Sequence, residues 1–179
     1  FHGAVGGYPE TPLAEVLPVY MGASDDRVNA PQPCFMERRA DHPILAGLPF
    51  ARPPSIGGYN RVRAKHGAKV LLSARCFAVE VLRRDGSSGP GGDDASDLDY
   101  TFTPGGRDPL LVVGHFGRGR VAAFTSDVAP HWVGGLVDWG PERVRAQAPG
   151  ADEIEVGSHY AEFFTRLVRW TMGEDPSPS

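Results

Sequence analysis

Cysteine is scarce in this sequence: two in 179 residues, Cys34 and Cys76, in no C-x-x-C pair. A disulfide framework uses more cysteines, and a thiolate metal site uses closer spacing. A reducing compartment, the cytoplasm, is the simpler expectation. No apolar stretch approaches bilayer length, so no membrane partner is expected. Positive charge is not in excess. The net charge is −4, the pI is near 5.8, and no basic stripe is interleaved with aromatics. Nucleic acid is therefore not an expected partner. No G-x-S-x-G or G-x-C-x-G elbow occurs, which removes the usual nucleophile of an α/β hydrolase. No histidines stand in H-x-x-x-H or H-x-H spacing, so no metal is expected. No cofactor is expected either. The glycine-bearing GRGR (117–120) joins two strand-like runs rather than a strand and a helix, and reads as a tight turn.

What is present suits one domain over 1–179. Hydrophobic residues make up 41% and charged residues 22%, enough apolar content for a real core. TPLAEVLPV (11–19) offers Thr11 as a cap and Pro12 at a first helical position. One helical turn is expected there, followed by a strand-like LPVYM. Residues 22–43 read as irregular. HPILAGLPF (42–50) reads as a structured loop or single turn, and PPSIGGYNRV (53–62) as a loop entering a strand. AKVLLSA (68–74) and FAVEVLRR (77–84) read as two strands, the second with alternating Phe77, Val79 and Val81. Basic residues cluster over 61–84 and acidic ones over 85–99, read as a solvated rim facing a solvated loop. DGSSGPGGDDASD (85–97) has the composition of a mobile inserted loop.

DPLLVVGHFGRGRVAAFTSD (108–127) carries the clearest pattern. Two apolar runs flank FGRGR, a hairpin signal. The runs are nearly continuous, as in strands covered on both faces. From Ser158 a helix is expected, with Tyr160, Phe163, Phe164, Leu167, Val168 and Thr171 on its core face. Glu162, Arg166 and Arg169 take the other side, and Gly173 is the stop.

In open α/β sheets ligands sit beyond the carboxyl ends of the strands. FTSDVAPHW (124–132) follows such an end. Two readings stand. In one, Asp127 orients His131 as a general base, walled by Trp132. In the other, the Asp127 carboxylate accepts backbone N–H bonds and the loop is only tied down. His42 reads as a turn anchor and His115 as a sheet residue; His66 lies in a turn, and His159 opens the last helix.

TPLAEVLPV, HPILAGLP, GYNRV, DPLLVVGHFGRGRVAAFTSDVAPHW and YAEFFTRLVRWTMG (160–173), in this order, resemble the class I glutamine amidotransferase-like family. HPILAGLP is also similar to a turn of the related trehalose-utilisation (ThuA-like) group. The resemblance implies a flavodoxin-like three-layer α/β/α sandwich, with a mixed sheet, a C-terminal β-hairpin and a final helix. FHG (1–3) is similar to a segment that follows the elbow in the family, so the first strands are expected to precede Phe1. An active glutaminase needs an elbow Cys and a His-x-Glu pair. No histidine here has Glu at +2. The resemblance is therefore to a fold rather than to an activity. The expectation is a cytoplasmic binding or scaffold domain for a small polar ligand, with self-association through an unpaired sheet edge. Ser126, Trp132, Tyr59 and Asn60 are its candidate ligand residues. The alternative is a hydrolase or transferase on a small polar substrate, using His131 and Asp127.

Overall fold

The two apolar runs around FGRGR do pair. In the computed structural model, which describes residues 7–22, 24–83, 98–128 and 131–175, they lie in β7 (Leu98–Phe116) and β8 (Gly119–Phe124). Gly117 turns the chain between them at φ 57°, a left-handed conformation that glycine takes without steric cost. β6 (Lys69–Arg83) pairs with β7 over almost its whole length, from Lys69 opposite Val113 to Arg83 opposite Leu98. β3 (Cys34–Arg38) pairs with the first half of β6. The resulting four-stranded sheet has the order β3-β6-β7-β8.

Three two-stranded ribbons surround it. β1 (Val19–Met21) pairs with β5 (Val62–Ala64), and β2 (Arg27–Asn29) with β4 (Gly58–Asn60). β9 (Arg143–Ala146) pairs with β10 (Ile154–Gly157). Two α-helices are present among the described residues, α1 (Pro12–Val16) and α2 (Ser158–Thr171), with short 3-10 turns at Tyr8–Glu10, Pro43–Leu45 and Gly134–Leu136. None is long and apolar enough to cross a membrane.

The architecture is mixed α/β, weighted to strands. Every strand pairing among the described residues is antiparallel. The mixed α/β class agrees with the resemblance, whereas the parallel pairs of a mixed sheet are not found among the described residues. Parallel neighbours need crossovers of a dozen or more residues, whereas β7 and β8 are joined by a tight turn. The continuous apolar runs are nonetheless buried: Leu110, Leu111 and Val112 are fully covered. Phe124, opposite Leu111 in register, packs its ring on Phe163 and Phe164 of α2. Gly114, on the opposite face by strand alternation, lies against Pro18 just before β1. One face is thus covered by a helix and the other by a ribbon.

Several expectations change. Residues 68–74 and 77–84 are not two strands. Through Arg83 they form one, with a register shift between Arg75 and Phe77. β7 begins ten residues before Asp108. The irregular stretch 22–43 contains β2 and β3, strands too short to show a period. The loop 85–97, the segment FHG and the last residues of the tail lie outside the described residues. On α2, Val168 is exposed and Arg166 is buried, the reverse of the expected faces. Arg166 pairs with Glu162, as its spacing suggested, and also donates to the Ala46 carbonyl. A helix residue thereby holds the HPILAGLP turn. His42 anchors that turn from within: its Nδ1 accepts from Ile44 N, and its ring packs on Trp170. Burial, then nearby Lys69 and Arg120, push its pKa down, which keeps the imidazole neutral as an acceptor.

The cysteines are the largest correction. Cys34 and Cys76 stand directly opposite each other on β3 and β6 and form a disulfide. Sequence separation hid the pair, and strand register makes it. A crosslink closing a loop of this size limits the unfolded chain. The variant Cys34→Ser/Cys76→Ser is expected to lose about 2–4 kcal/mol of stability. Chemical denaturation of the oxidised protein and the variant, in the absence of reductant, measures it.

Candidate functional site

β4 is three residues long and carries little apolar surface of its own, so its position has to be imposed. Residues 125–126 and 132, after β8, impose it. Thr125 O accepts from Asn60 N at 2.8 Å, and Trp132 O accepts from Gly57 N at 2.8 Å. The Ser126 hydroxyl donates to Gly58 O at 2.7 Å. Trp132 then lays its indole on Gly58. A Cβ there would stand 2.6 Å from the indole Cδ1 and Nε1 and 2.6 Å from Val28 O. Only glycine fits such an approach. The indole Nε1 donates to Asn29 Oδ1 at 2.9 Å, which ties β2 to the same loop.

Asp127 and Trp132 close the loop on itself: Asp127 Oδ2 accepts from Trp132 N at 3.3 Å. Tyr160 of α2 donates from its hydroxyl to Val128 O at 2.7 Å. His131 is exposed, and no hydrogen bond joins it to Asp127. The structure therefore gathers Ser126, Asp127 and Trp132 behind β4 as a backbone clamp, with His131 on its outer side.

Strand alternation sends the two named β4 residues different ways. Asn60 lines a mostly apolar cleft of about 350 Å³, between Leu13, Val19, Phe124 and Thr125. Tyr59 lines a more polar one of about 440 Å³ together with Asn29, Gln32, Arg61, Cys76 and Asp108. Here the Tyr59 hydroxyl donates to Asp108 Oδ2 at 2.7 Å, and Arg61 Nε donates to the same oxygen at 3.2 Å. Burial, reinforced by the Asp108 carboxylate, pushes the Tyr59 pKa up to about 12. Tyr59 is a proton donor at neutral pH and not a base. The hydrogen bond and charge of Asp108 also raise the pKa of Arg61.

Asp108 is the hub of this cleft, and its Oδ1 makes no hydrogen bond to the described residues. The Arg61 guanidinium, bonded to Asp108 through Nε and interacting with the Tyr59 hydroxyl, is largely exposed. The cleft thus sets an anionic acceptor beside a cationic donor. It holds no nucleophile of the thiol type, because Cys76 on its wall is tied to Cys34. Among the described residues no three His, Cys, Asp or Glu side chains gather as a metal site.

Sequence reasoning placed Tyr59 among the ligand residues and missed Arg61, Asp108, Asn29 and Gln32. Arg61 and Asp108 lie within the quoted motifs GYNRV and DPLLVVGHF, so a signal existed. Nothing local tells that Arg61 meets a carboxylate 47 positions away, or that Tyr59 shares its oxygen.

Two outcomes test this geometry. Gly58→Ala is expected to cost about 1–3 kcal/mol through overpacking against the indole and the Val28 carbonyl. Gly106→Ala, with open space around its Cβ, serves as the tolerated control. Thermal and denaturant unfolding of both variants decide it. The second concerns Tyr59. Its folded pKa lies above the usual phenol value near 10, so its contribution to stability is full below about pH 10 and lost as pH rises through about 12. In a titration followed by phenolate absorbance at about 295 nm, Tyr59→Phe is expected to remove the highest-pH step.

Comparison with known proteins locates these residues in a shared frame. The model of a family described as "Putative glutamine amidotransferase" matches residues 2–80 and 97–143. Tyr59, Arg61, Asp108 and the whole clamp loop fall inside the matched segments. Among solved structures, the chain is similar to the cytoplasmic protein STM3548 from Salmonella typhimurium, at 26% identity and a TM-score of 0.60. It is also similar to the cytoplasmic protein STM1381 from Salmonella typhimurium LT2, at 29% identity and a TM-score of 0.59. Each likeness covers 92% of this chain and 47% of the other, so the chain spans about half the length of these relatives. No curated protein matches it.

Proposed function

This chain belongs to the glutamine amidotransferase-like family, and we propose that it is a binding domain for a small polar ligand rather than a glutaminase. The observation that carries this reading is the Asp108 hub on the cleft wall, with Tyr59 and Arg61 on one carboxylate oxygen and the other making no hydrogen bond to the described residues. The ligand that fits carries a hydrogen-bond donor and an anionic group a few ångströms apart, as an α-amino acid does. The donor meets Asp108, and the anionic group meets Arg61. Within residues 1–179 no histidine has Glu at +2, the pair an active glutaminase uses, which supports binding over hydrolysis.

The alternative, with His131 as base and Asp127 as its orienter, has less support, because the Asp127 carboxylate is engaged by Trp132 N and His131 stands exposed. We place the chain in a flavodoxin-like three-layer protein, as a self-associating domain of the cytoplasm. The names of its two structural neighbours favour that compartment. The Cys34–Cys76 disulfide pulls the other way, since such bonds are rare in the cytosol.

L-Glutamine serves as both probe and substrate in the test. Incubated with the protein, it is expected to release no ammonia above background in a coupled assay. Titrated into labelled protein, it is expected to shift the backbone amides of Asn29, Tyr59, Arg61 and Asp108. Those shifts are expected to vanish in Asp108→Asn. Ammonia release would overturn the non-catalytic reading. Shifts confined to residues 125–132 that persist in Asp108→Asn would move the site to the clamp loop.

A further inference from the structure

The first part of β6 and the last part of β7 are each flanked by a further strand, but their outer parts are not. The pairing of β3 with β6 ends at Cys34 opposite Cys76, and that of β8 with β7 covers only Leu111–Phe116. Beyond those points, Phe77–Arg83 and Leu98–Pro104 pair with each other and with no further strand among the described residues; at the root, Phe77 N donates to Pro33 O and Val79 N to Gln32 Oε1. They form a two-stranded arm roughly 23 Å long at ~3.3 Å per residue. A lone hairpin of this kind is marginal in water.

Residues directly opposite in register share a face. One face of the arm therefore carries Phe77 with Pro104, Val79 with Phe102, and Val81 with Tyr100. It is an unbroken apolar ladder. Its outer side chains are more than half exposed, Val81 55%, Tyr100 52% and Phe102 56%, while Phe77 and Val79 at the root are half-buried. The other face pairs Ala78 with Thr103, Glu80 with Thr101 and Leu82 with Asp99, and is the more polar of the two. A contiguous exposed apolar face of this kind marks an interaction site.

We propose that this ladder is the self-association surface, on which a second copy of the chain packs face to face about a two-fold axis near Val79 and Phe102. This rests on the self-association proposed above and is independent of the ligand. The ladder has opposite character at its two ends, and that asymmetry selects a second copy as occupant. The base is cationic. Arg75 and Arg107 stand opposite each other, with the Arg75 guanidinium over the Phe77 ring at 5.6 Å and Arg107 bonded to Glu37 at 2.6 Å. The outer end is aromatic, with Tyr100. A two-fold axis reverses one arm relative to the other, as an isologous contact requires. Val79 and Phe102 then meet their own counterparts, and Tyr100 of each copy comes over the Phe77–Pro104 pair of the other, where the Arg75 guanidinium lies over the Phe77 ring and is within reach of a cation–π contact. The surface is complementary to itself in that orientation. Its size is at the low end for specific interfaces, so the dimer is weak and concentration-dependent.

Sedimentation velocity of the 179-residue chain over the micromolar range tests it. The unmodified protein is expected to shift from monomer to dimer with concentration. Val81→Glu/Phe102→Glu is expected to abolish the shift, with far-UV circular dichroism and a cooperative melt confirming that the variant is folded. Arg75→Glu and Tyr100→Lys are each expected to weaken the dimer about tenfold, and the double variant Arg75→Glu/Tyr100→Lys to regain most of the loss. A monomer at every concentration would overturn self-association itself. A dimer indifferent to Val81→Glu/Phe102→Glu would overturn the arm but leave self-association standing. A double variant weaker than either single one would overturn the two-fold arrangement.

Discussion

The contact on which the most other geometry depends is the indole of Trp132 against the bare Cα of Gly58. The indole occupies the space a side chain would need there. Its ring nitrogen reaches Asn29 across the β2–β4 ribbon, and its backbone carbonyl accepts from Gly57. Without that approach the three-residue β4 has little to fix its height above the sheet. Tyr59, which β4 carries, would then have no defined distance to Asp108. A packing constraint at one glycine thus becomes an electrostatic constraint at a carboxylate about fifty residues away.

This dependence recasts the loop at the end of β8. Its polar residues suggest a catalytic corner. In the folded chain they bind backbone: Thr125 to Leu110 O, Ser126 to Gly58 O and Asp127 to Trp132 N, while Tyr160 of α2 holds Val128 O. A carboxylate that accepts a local N–H gains a charge-assisted hydrogen bond without leaving its own loop. Orienting an imidazole would demand a second geometric coincidence. The polar chemistry that faces open space is on the other side of β4, where Asp108 has an oxygen to offer.

The same sheet supports the two surfaces the chain presents. Near its centre β6 and β7 are buried and hold the cleft through Cys76 and Asp108. Farther out they leave the body and expose the apolar ladder. Gln32 bridges the two regions: it lines the cleft, and its Oε1 accepts from Val79 N at the root of the arm. Arg75 and Arg107 mark the boundary, just before the register shift that separates Arg75 from Phe77. Bulges of this kind re-aim strands where a sheet ends.

The elements legible in the sequence are those whose cause lies within a few neighbouring residues. FGRGR announced its hairpin because glycine takes the positive φ such a turn needs. Residues 158–171 announced their helix through the spacing of Tyr160, Phe163 and Phe164, and His42 its turn through the proline that follows. Tyr59 and Trp132 were legible as candidates through their motifs, and the roles they play were not. The tertiary structure alone decided that Cys34 meets Cys76, that Arg166 is buried, that β6 runs unbroken from Lys69 to Arg83, and that Tyr59 and Arg61 share Asp108. Each depends on which strands become neighbours and in what register. Register is a property of two segments at once, set by how the whole core closes, and no window along one segment contains it.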